Sequence, residues 1–270
     1  MKITRITTQK KGNRYNVFVD DGNNGDKYGF SVDEDLLIKF HLRKGLEIDD
    51  ETERMITEQD HIHKYYHQAI NYLSYRMRTE KEINDYLAKK EADPEHIKVI
   101  IERLKAEKLV DDEAFANMFV QSRIQTTLKG PDLIKKELMQ KGVSGKIASQ
   151  AIRVFDYGVQ YEKALKWVEK KGKQTTKHSY QKQLQQLQLT LRRNGFTQDV
   201  ITDIISHIKD EKDEDAEWDA IRLHGEKSLR KYSKKHAGYE LRMKIKGALY
   251  RQGFPSALID RFLDETIIEE

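Results

Sequence analysis

The hydrophobic pattern of this chain changes period once. Over the first 45 residues, β-branched and aromatic residues gather in three short runs at 3–8, 15–19 and 27–32. Runs of this length and composition, bounded by turn residues, predict strands. Lys11-Gly12-Asn13 and Asp21-Gly22-Asn23-Asn24-Gly25-Asp26 separate the runs and supply turn chemistry. A three-stranded meander is expected, followed by a helix over about 33–44 that packs Leu36, Leu37 and Phe40 on the sheet. From about residue 61 the period becomes helical. Ile97, Ile100, Ile101 and Leu104 stand at i, i+3, i+4 and i+7, the stripe of a helix with one buried face.

Start signals divide the helical part. Thr79-Glu80-Lys81-Glu82 reads as a capping box. Asp93-Pro94 combines a capping aspartate with a proline whose missing N–H costs nothing at the first helical position. Gly130-Pro131 and Asp111-Asp112 open further helices, the second carrying Phe115, Met118 and Phe119. A six-residue pattern then recurs: Leu138-Met139-Gln140-Lys141-Gly142-Val143, Leu191-Arg192-Arg193-Asn194-Gly195-Phe196 and Leu249-Tyr250-Arg251-Gln252-Gly253-Phe254. Its glycines are 53 and 58 residues apart. A weaker copy begins at Leu87, with Glu91 in place of the glycine.

Recurrence at this spacing means a tandem array of supersecondary units, stacked because none buries its apolar face alone. The glycines are read as helix C-caps. The expected fold is mainly α, about four three-helix repeats at 61–109, 110–156, 157–210 and 211–270, after a small β-rich N-terminal domain at 1–60. The acidic stretch from Asp210 to Asp219 reads as a solvated join between the last two repeats.

Composition narrows the function. With no cysteine in 270 residues, disulfides and thiolate metal sites are excluded. No run approaches the roughly 18 apolar residues of a membrane span, and the N-terminus shows no signal peptide. A cytoplasmic monomer without membrane contact is expected. The net charge of +4 conceals segregation: 121–194 carries 16 basic against 5 acidic residues, 195–221 swings to −7, and 222–251 returns to +8. Basic blocks of this size attract polyanions.

No catalytic constellation is found. Asp111-Asp112-Glu113 are neighbours on a helix start and do not converge on one ion, so they read as capping residues. His63 and His67 have a zinc-compatible i, i+4 spacing, but the metalloprotease glutamate is missing. With His61 they read as surface histidines on a linker helix. The glycine-rich loop from Asp21 to Gly29 lacks the Lys-Ser or Lys-Thr of a phosphate-cradling loop and reads as a hairpin turn. The chain is expected to be no enzyme and to need no cofactor or metal. What remains is a basic surface: Arg76 and Arg78, then Arg123, Lys129, Lys135, Lys136 and Lys141, then Arg192 and Arg193, then Lys244, Lys246 and Arg251. Matched repeat positions are expected to fall on one side as a stripe suited to a nucleic-acid backbone or nucleoprotein filament. The alternative is that these cations solubilise outer helix faces.

The assembled motifs resemble the RecX family. They are Leu73-Ser74-Tyr75-Arg76-Met77-Arg78-Thr79-Glu80-Lys81-Glu82-Ile83 with Leu87, Leu109-Val110-Asp111-Asp112-Glu113-Ala114-Phe115-Ala116, Arg123, Gly130-Pro131, Ile134, Glu137-Leu138 and Lys141-Gly142-Val143. The match is good over 69–152 and looser beyond; 1–60 resembles the extra N-terminal region of long members from Gram-positive bacteria. Ile83, where the family often has leucine, and Glu91 depart from the pattern. The resemblance implies a cytoplasmic, non-enzymatic regulator of recombination, DNA repair and the SOS response. Such a protein binds the RecA–DNA filament, inhibits its ATPase and strand exchange, and has affinity for single- and double-stranded DNA. Direct nucleic-acid binding and a protein-only helical scaffold are the competing readings.

Overall fold

The structure is a computed structural model of the 270-residue chain, describing all residues except 11–13, 21, 23–24, 173–177, 210–213 and 268–270. The expected turn at Lys11-Gly12-Asn13, three of the six residues of the 21–26 turn and the first residues of the acidic join lie outside the described residues. Two compact bodies are distinguished, Met1–Phe115 with Lys141–Val143 and Ala116–Gln140 with Ser144–Glu270.

The first body opens with an antiparallel sheet in the order β1 (Lys2–Thr8), β2 (Arg14–Asp20), β3 (Lys27–Asp33). One face carries Ile3, Val17, Val19, Phe30 and Val32 into a core shared with Leu36, Leu42, Ile48 and Ile56. Asp33 ends β3 and caps the short helix α1 (Glu34–Lys39), its carboxylate accepting the Leu36 N–H. As the sequence suggests, Leu36 is buried against the sheet, with Leu37 and Phe40 partly so.

Next comes α2 (Asp50–Leu73), capped by Asp49 and 24 residues long. It runs straight through the boundary expected near residue 60. Ile56 belongs to the sheet's core, whereas Tyr66 and Ala69 belong to the core of the first repeat. One helix therefore serves both, because its apolar positions face the sheet in its first half and the repeat in its second.

The first repeat is completed by α3 (Glu80–Ala88), with the capping box Thr79/Glu82, and α4 (Pro94–Ala106), capped by Asp93. Its core comprises Ile83, Leu87, Ile97, Ile100, Ile101 and Leu104. The second repeat holds α5 (Asp112–Thr126), α6 (Pro131–Gln140) and α7 (Gly145–Ala151), which tightens into a 3-10 turn at Ile152–Val154. The third holds α8 (Tyr157–Gly172), α9 (Tyr180–Arg193) and α10 (Gln198–Lys209), and the fourth α11 (Glu214–Tyr232), α12 (Gly238–Arg251) and α13 (Ser256–Thr266).

Repeat equivalence is direct. Leu87, Leu138, Leu191 and Leu249 are all fully buried near the C-terminus of each repeat's second helix. The apolar residue after each turn, Ala92, Val143, Phe196 or Phe254, is buried as well. In three of the four its N–H reaches back to the leucine carbonyl, as in a Schellman cap: Ala92 to Leu87, Phe196 to Leu191 and Phe254 to Leu249. One expectation changes. The first and fourth repeats each enclose a core of their own, the fourth around Ile221, Ile245, Leu249, Ile259 and Phe262. Three helices thus suffice to cover one another's apolar faces, and a different device joins one repeat to the next.

That device is the glycine turn. Thr79, the N-cap of α3, donates its hydroxyl to the Lys141 carbonyl at 2.6 Å. Ser179, the N-cap of α9, donates likewise to the Gln252 carbonyl at 2.5 Å. At the start of α6, with no capping hydroxyl, the Gly130 N–H donates to the Asn194 carbonyl at 2.6 Å. Each acceptor immediately precedes Gly142, Gly253 or Gly195, all at positive φ. Carbonyls left free at one helix C-terminus thereby meet the N-terminus of another helix, pairing opposite ends of the two dipoles. The approach is close: a Cβ at Gly142 would overlap Lys81 Cβ, and one at Gly195 would lie 2.7 Å from the Leu133 nitrogen. Glu91 also has positive φ, 62°, but is exposed, and the carbonyls of Lys90 and Glu91 meet only the Tyr65 hydroxyl at 3.4 Å. Among the described residues no N-cap docks on this turn, so glycine is not required there.

Candidate functional site

The twelve expected basic residues fall into distinct classes. Five are held in ion pairs within the chain. Arg76 grips Glu82 with both terminal nitrogens, at 3.1 and 3.0 Å, and Lys141 Nζ reaches the same carboxylate at 2.8 Å. Arg123 and Lys129 share Glu137, the first at 3.2 Å. Lys246 pairs with Asp260 at 2.6 Å. Arg78 lies 3.9 Å over the Tyr72 ring, which itself stacks on Tyr86 at 4.1 Å, and Arg192 donates to Gln198 Oε1 at 2.8 Å.

Lys136, Arg193, Lys244 and Arg251 are exposed and Lys135 half-exposed, and none has an ion-pair partner among the described residues. Lys141 differs from these free cations: it is a part-buried member of a repeat junction, paired with Glu82. Burial works to raise the Glu82 carboxyl, but hydrogen bonds from Arg76 and Lys141 outweigh it and hold it at about 2. The reason is geometric: Lys141 directly precedes the glycine turn that docks on α3, so its aliphatic stem must run along the junction.

Counting back from the glycine turns locates a recurrent free cation. Arg193 and Arg251 are each two residues before the glycine, and Lys89 holds the same place relative to Glu91. All three are exposed, without an ion-pair partner among the described residues. Lys89 escapes a search for basic clusters because its surroundings are close to neutral; only the repeat register finds it. In the second repeat the position is Gln140, and Lys136 supplies the charge one turn earlier.

The fourth repeat adds aromatic surface. On α12, Tyr239, Met243 and Tyr250 stand at i, i+4 and i+11, with exposures of 73%, 48% and 67%. Lys244 and Arg251 adjoin them in sequence. Cations beside exposed rings suit a single strand, whose bases stack while its phosphates take the charge.

Lys163 was also missed. Burial pushes its amine down to about 8, yet Nζ donates to the carbonyl of Arg123 at 3.1 Å and to that of Ile124, at the C-terminal end of α5. The negative end of a helix favours the cation. This lysine closes a helix end and lines a cavity of about 470 Å³ with Thr126, Leu128 and Trp167.

Of the acidic cluster, Asp111 behaves as expected and Asp112 does not. Asp111 caps its own helix by accepting the Glu113 and Ala114 N–H groups, and Asp112 reaches across to accept the Glu80 N–H at 2.9 Å, at the start of α3. The histidines differ from expectation in one respect. His67 and His61 are exposed, but His63 is largely covered and its Nδ1 lies 2.8 Å from Asp33 Oδ2. Among the described residues, no helix is long and apolar enough to cross a membrane.

Comparison with known proteins covers the chain from end to end. Profiles of the RecX family match in order: the regulatory protein RecX N-terminal domain at 1–49, the first three-helix domain at 66–104, the second at 111–152, and the third twice, at 159–205 and 215–263. The double match is the fourth repeat. The regulatory protein RecX of Oceanobacillus iheyensis is 47% identical over all of this chain and 99% of its own length. That of Bacillus subtilis is 43% identical over 97% of this chain and 98% of its own. A crystal structure of regulatory protein RecX matches with TM-score 0.66 and 35% identity, covering 75% of this chain and 98% of that one. With the N-terminal and three-helix profiles matched in order and relatives more than 40% identical along almost the whole chain, this chain belongs to the RecX family of regulatory proteins.

Proposed function

We propose that this protein is a non-enzymatic, cytoplasmic regulator that binds the RecA–DNA filament as a monomer and inhibits its ATPase and strand exchange. Family membership along the whole chain supports the reading. The observation that carries it is the set of exposed cations with no ion pair among the described residues: Lys89, Arg193 and Arg251 two residues before the repeat turns, Lys136 a turn earlier in the second repeat, and Lys244 and Arg251 interleaved with rings on α12.

An exposed cation without an internal partner is available to a phosphate or to an acidic protein surface, and binding releases counterions. The paired cations serve differently. Arg76, Arg123, Lys129, Lys141 and Lys246 hold helices together and contribute charge only through the summed field. The contact set is therefore proposed as Lys89, Lys135, Lys136, Arg193, Lys244 and Arg251, with single- and double-stranded DNA as secondary ligands.

The test is hydrolysis of ATP by RecA filaments on single-stranded DNA, titrated with this protein and with a Lys136→Glu, Arg193→Glu, Arg251→Glu variant. Inhibition by the native chain and its loss in the variant are the expected results. Absence of inhibition by the native protein, despite tight DNA binding, would favour a direct nucleic-acid-binding role.

A further inference from the structure

We propose that Asp33, His63 and His67 form a binding site for a divalent transition-metal ion, zinc foremost, at the join between the N-terminal sheet and α2. The donor atoms of the three side chains lie within 4.8 Å of one another. All three residues belong to one body of the structure.

The arrangement follows from the local fold. His63 and His67 stand one turn apart on α2, which places both imidazoles on one face. Asp33 ends β3, and its Oδ1 is already occupied as the N-cap of α1, accepting the Leu36 N–H at 2.9 Å. That bond fixes the carboxylate plane and turns Oδ2 towards His63 Nδ1, 2.8 Å away. One turn earlier on α2, Asp60 is gripped by Arg14 at 2.6 Å, and Arg14 also reaches the Ser31 hydroxyl at 3.0 Å. The helix is thus pinned to the sheet beside the three donors, so the set is held together before any ion arrives.

The chemistry selects the ion. Two neutral imidazoles and one carboxylate make an N₂O set, which suits zinc, cobalt, nickel or copper and is poor for calcium or magnesium. Zinc bonds to such ligands are roughly 2.0–2.1 Å, so donors closing on one ion need only small side-chain rotations from 4.8 Å. The fourth position falls to water, since His67 is exposed. Oδ1 held by the Leu36 N–H supplies the outer-shell bond that orients a ligating carboxylate. The hydrogen bond from His63 to Asp33 explains those two residues without a metal. It does not explain His67, whose ring lies 6.1 Å from that of His63. A bound ion would tie the sheet to the helix shared with the first repeat.

The test is titration of the metal-free full-length protein with cobalt, read by its visible d–d absorption, and with zinc, read by calorimetry. One equivalent of cobalt displaced by zinc is expected. His67→Ala, an exposed substitution that leaves the fold intact, should weaken zinc binding by at least about tenfold. Asp33→Asn, which keeps the cap, should do the same, whereas His61→Ala should change nothing. Zinc should raise the melting temperature of the native chain but not of His67→Ala. Absence of stoichiometric binding, or equal affinity in His67→Ala and native protein, would overturn the assignment.

Discussion

The Thr79 hydroxyl donates to the Lys141 carbonyl at 2.6 Å while its own oxygen accepts the Glu82 N–H at 3.1 Å. One side chain thereby caps α3 and docks the turn that follows α6. Ser179 repeats the arrangement with the Gln252 carbonyl and the Lys182 N–H. Thr79→Val keeps the shape but removes both bonds. It should cost about 1–2 kcal/mol in a urea denaturation, the range for losing an N-cap. An unchanged midpoint would mean that the junction carries no stability.

The glycine of the junction and its missing counterpart should respond oppositely. Gly142→Ala forces a Cβ into Lys81 at positive φ and should destabilise by about 1–3 kcal/mol. Glu91→Gly removes a strained side chain from an exposed turn at φ 62°. It should be neutral or stabilise by up to about 1 kcal/mol. Thermal melts of the two variants decide this, and equal destabilisation would refute the docking role.

Lys141 and Lys136 are only five residues apart, yet their reversal should differ. Lys141→Glu sets a like charge against Glu82, itself largely covered, and should cost about 1–3 kcal/mol. Lys136→Glu, exposed and unpaired among the described residues, should stay within about 0.5 kcal/mol. Denaturation curves of the two variants at neutral pH give the comparison.

The Glu82 carboxyl is held at about 2, below its ordinary 4.5. A depressed acid contributes stability that is fully present above the unfolded value and is lost as pH falls through the folded one. Native protein should therefore weaken between pH 4.5 and 2 more steeply than Glu82→Gln, and the gap between them at pH 7 should narrow by pH 3. A constant gap across that range would show that the junction does not depend on this charge.

Much of this was readable beforehand, for local reasons. The capping box at Thr79, the aspartate caps and the leucine–glycine recurrence are short-range signals, so helix starts and repeat register followed from them. Long-range pairings were hidden. Nothing in the run Lys135 to Lys141 separates a free lysine from one bound to Glu82, because that partner is 59 residues away. Asp112 looked like a cap for its own helix, whereas it caps α3, 32 residues back. His63 and His67 showed their spacing, but Asp33 joins them only through the sheet. The continuity of α2 through the boundary expected near residue 60 was hidden, because one helix serves the sheet's core in its first half and the first repeat's core in its second.

The most direct measurement is equilibrium binding of labelled protein to RecA filaments on single-stranded DNA, beside naked single-stranded DNA and free recombinase. Binding to the filament should be tighter than to either component. The Lys136→Glu, Arg193→Glu, Arg251→Glu variant should lose at least about tenfold, 1.4 kcal/mol, with unchanged helicity. Its salt dependence on naked DNA should flatten by about 2 in slope, from roughly 0.7 per lost phosphate contact. Equal affinity for filament and naked DNA, or a variant that binds the filament as tightly as the native chain, would contradict the account.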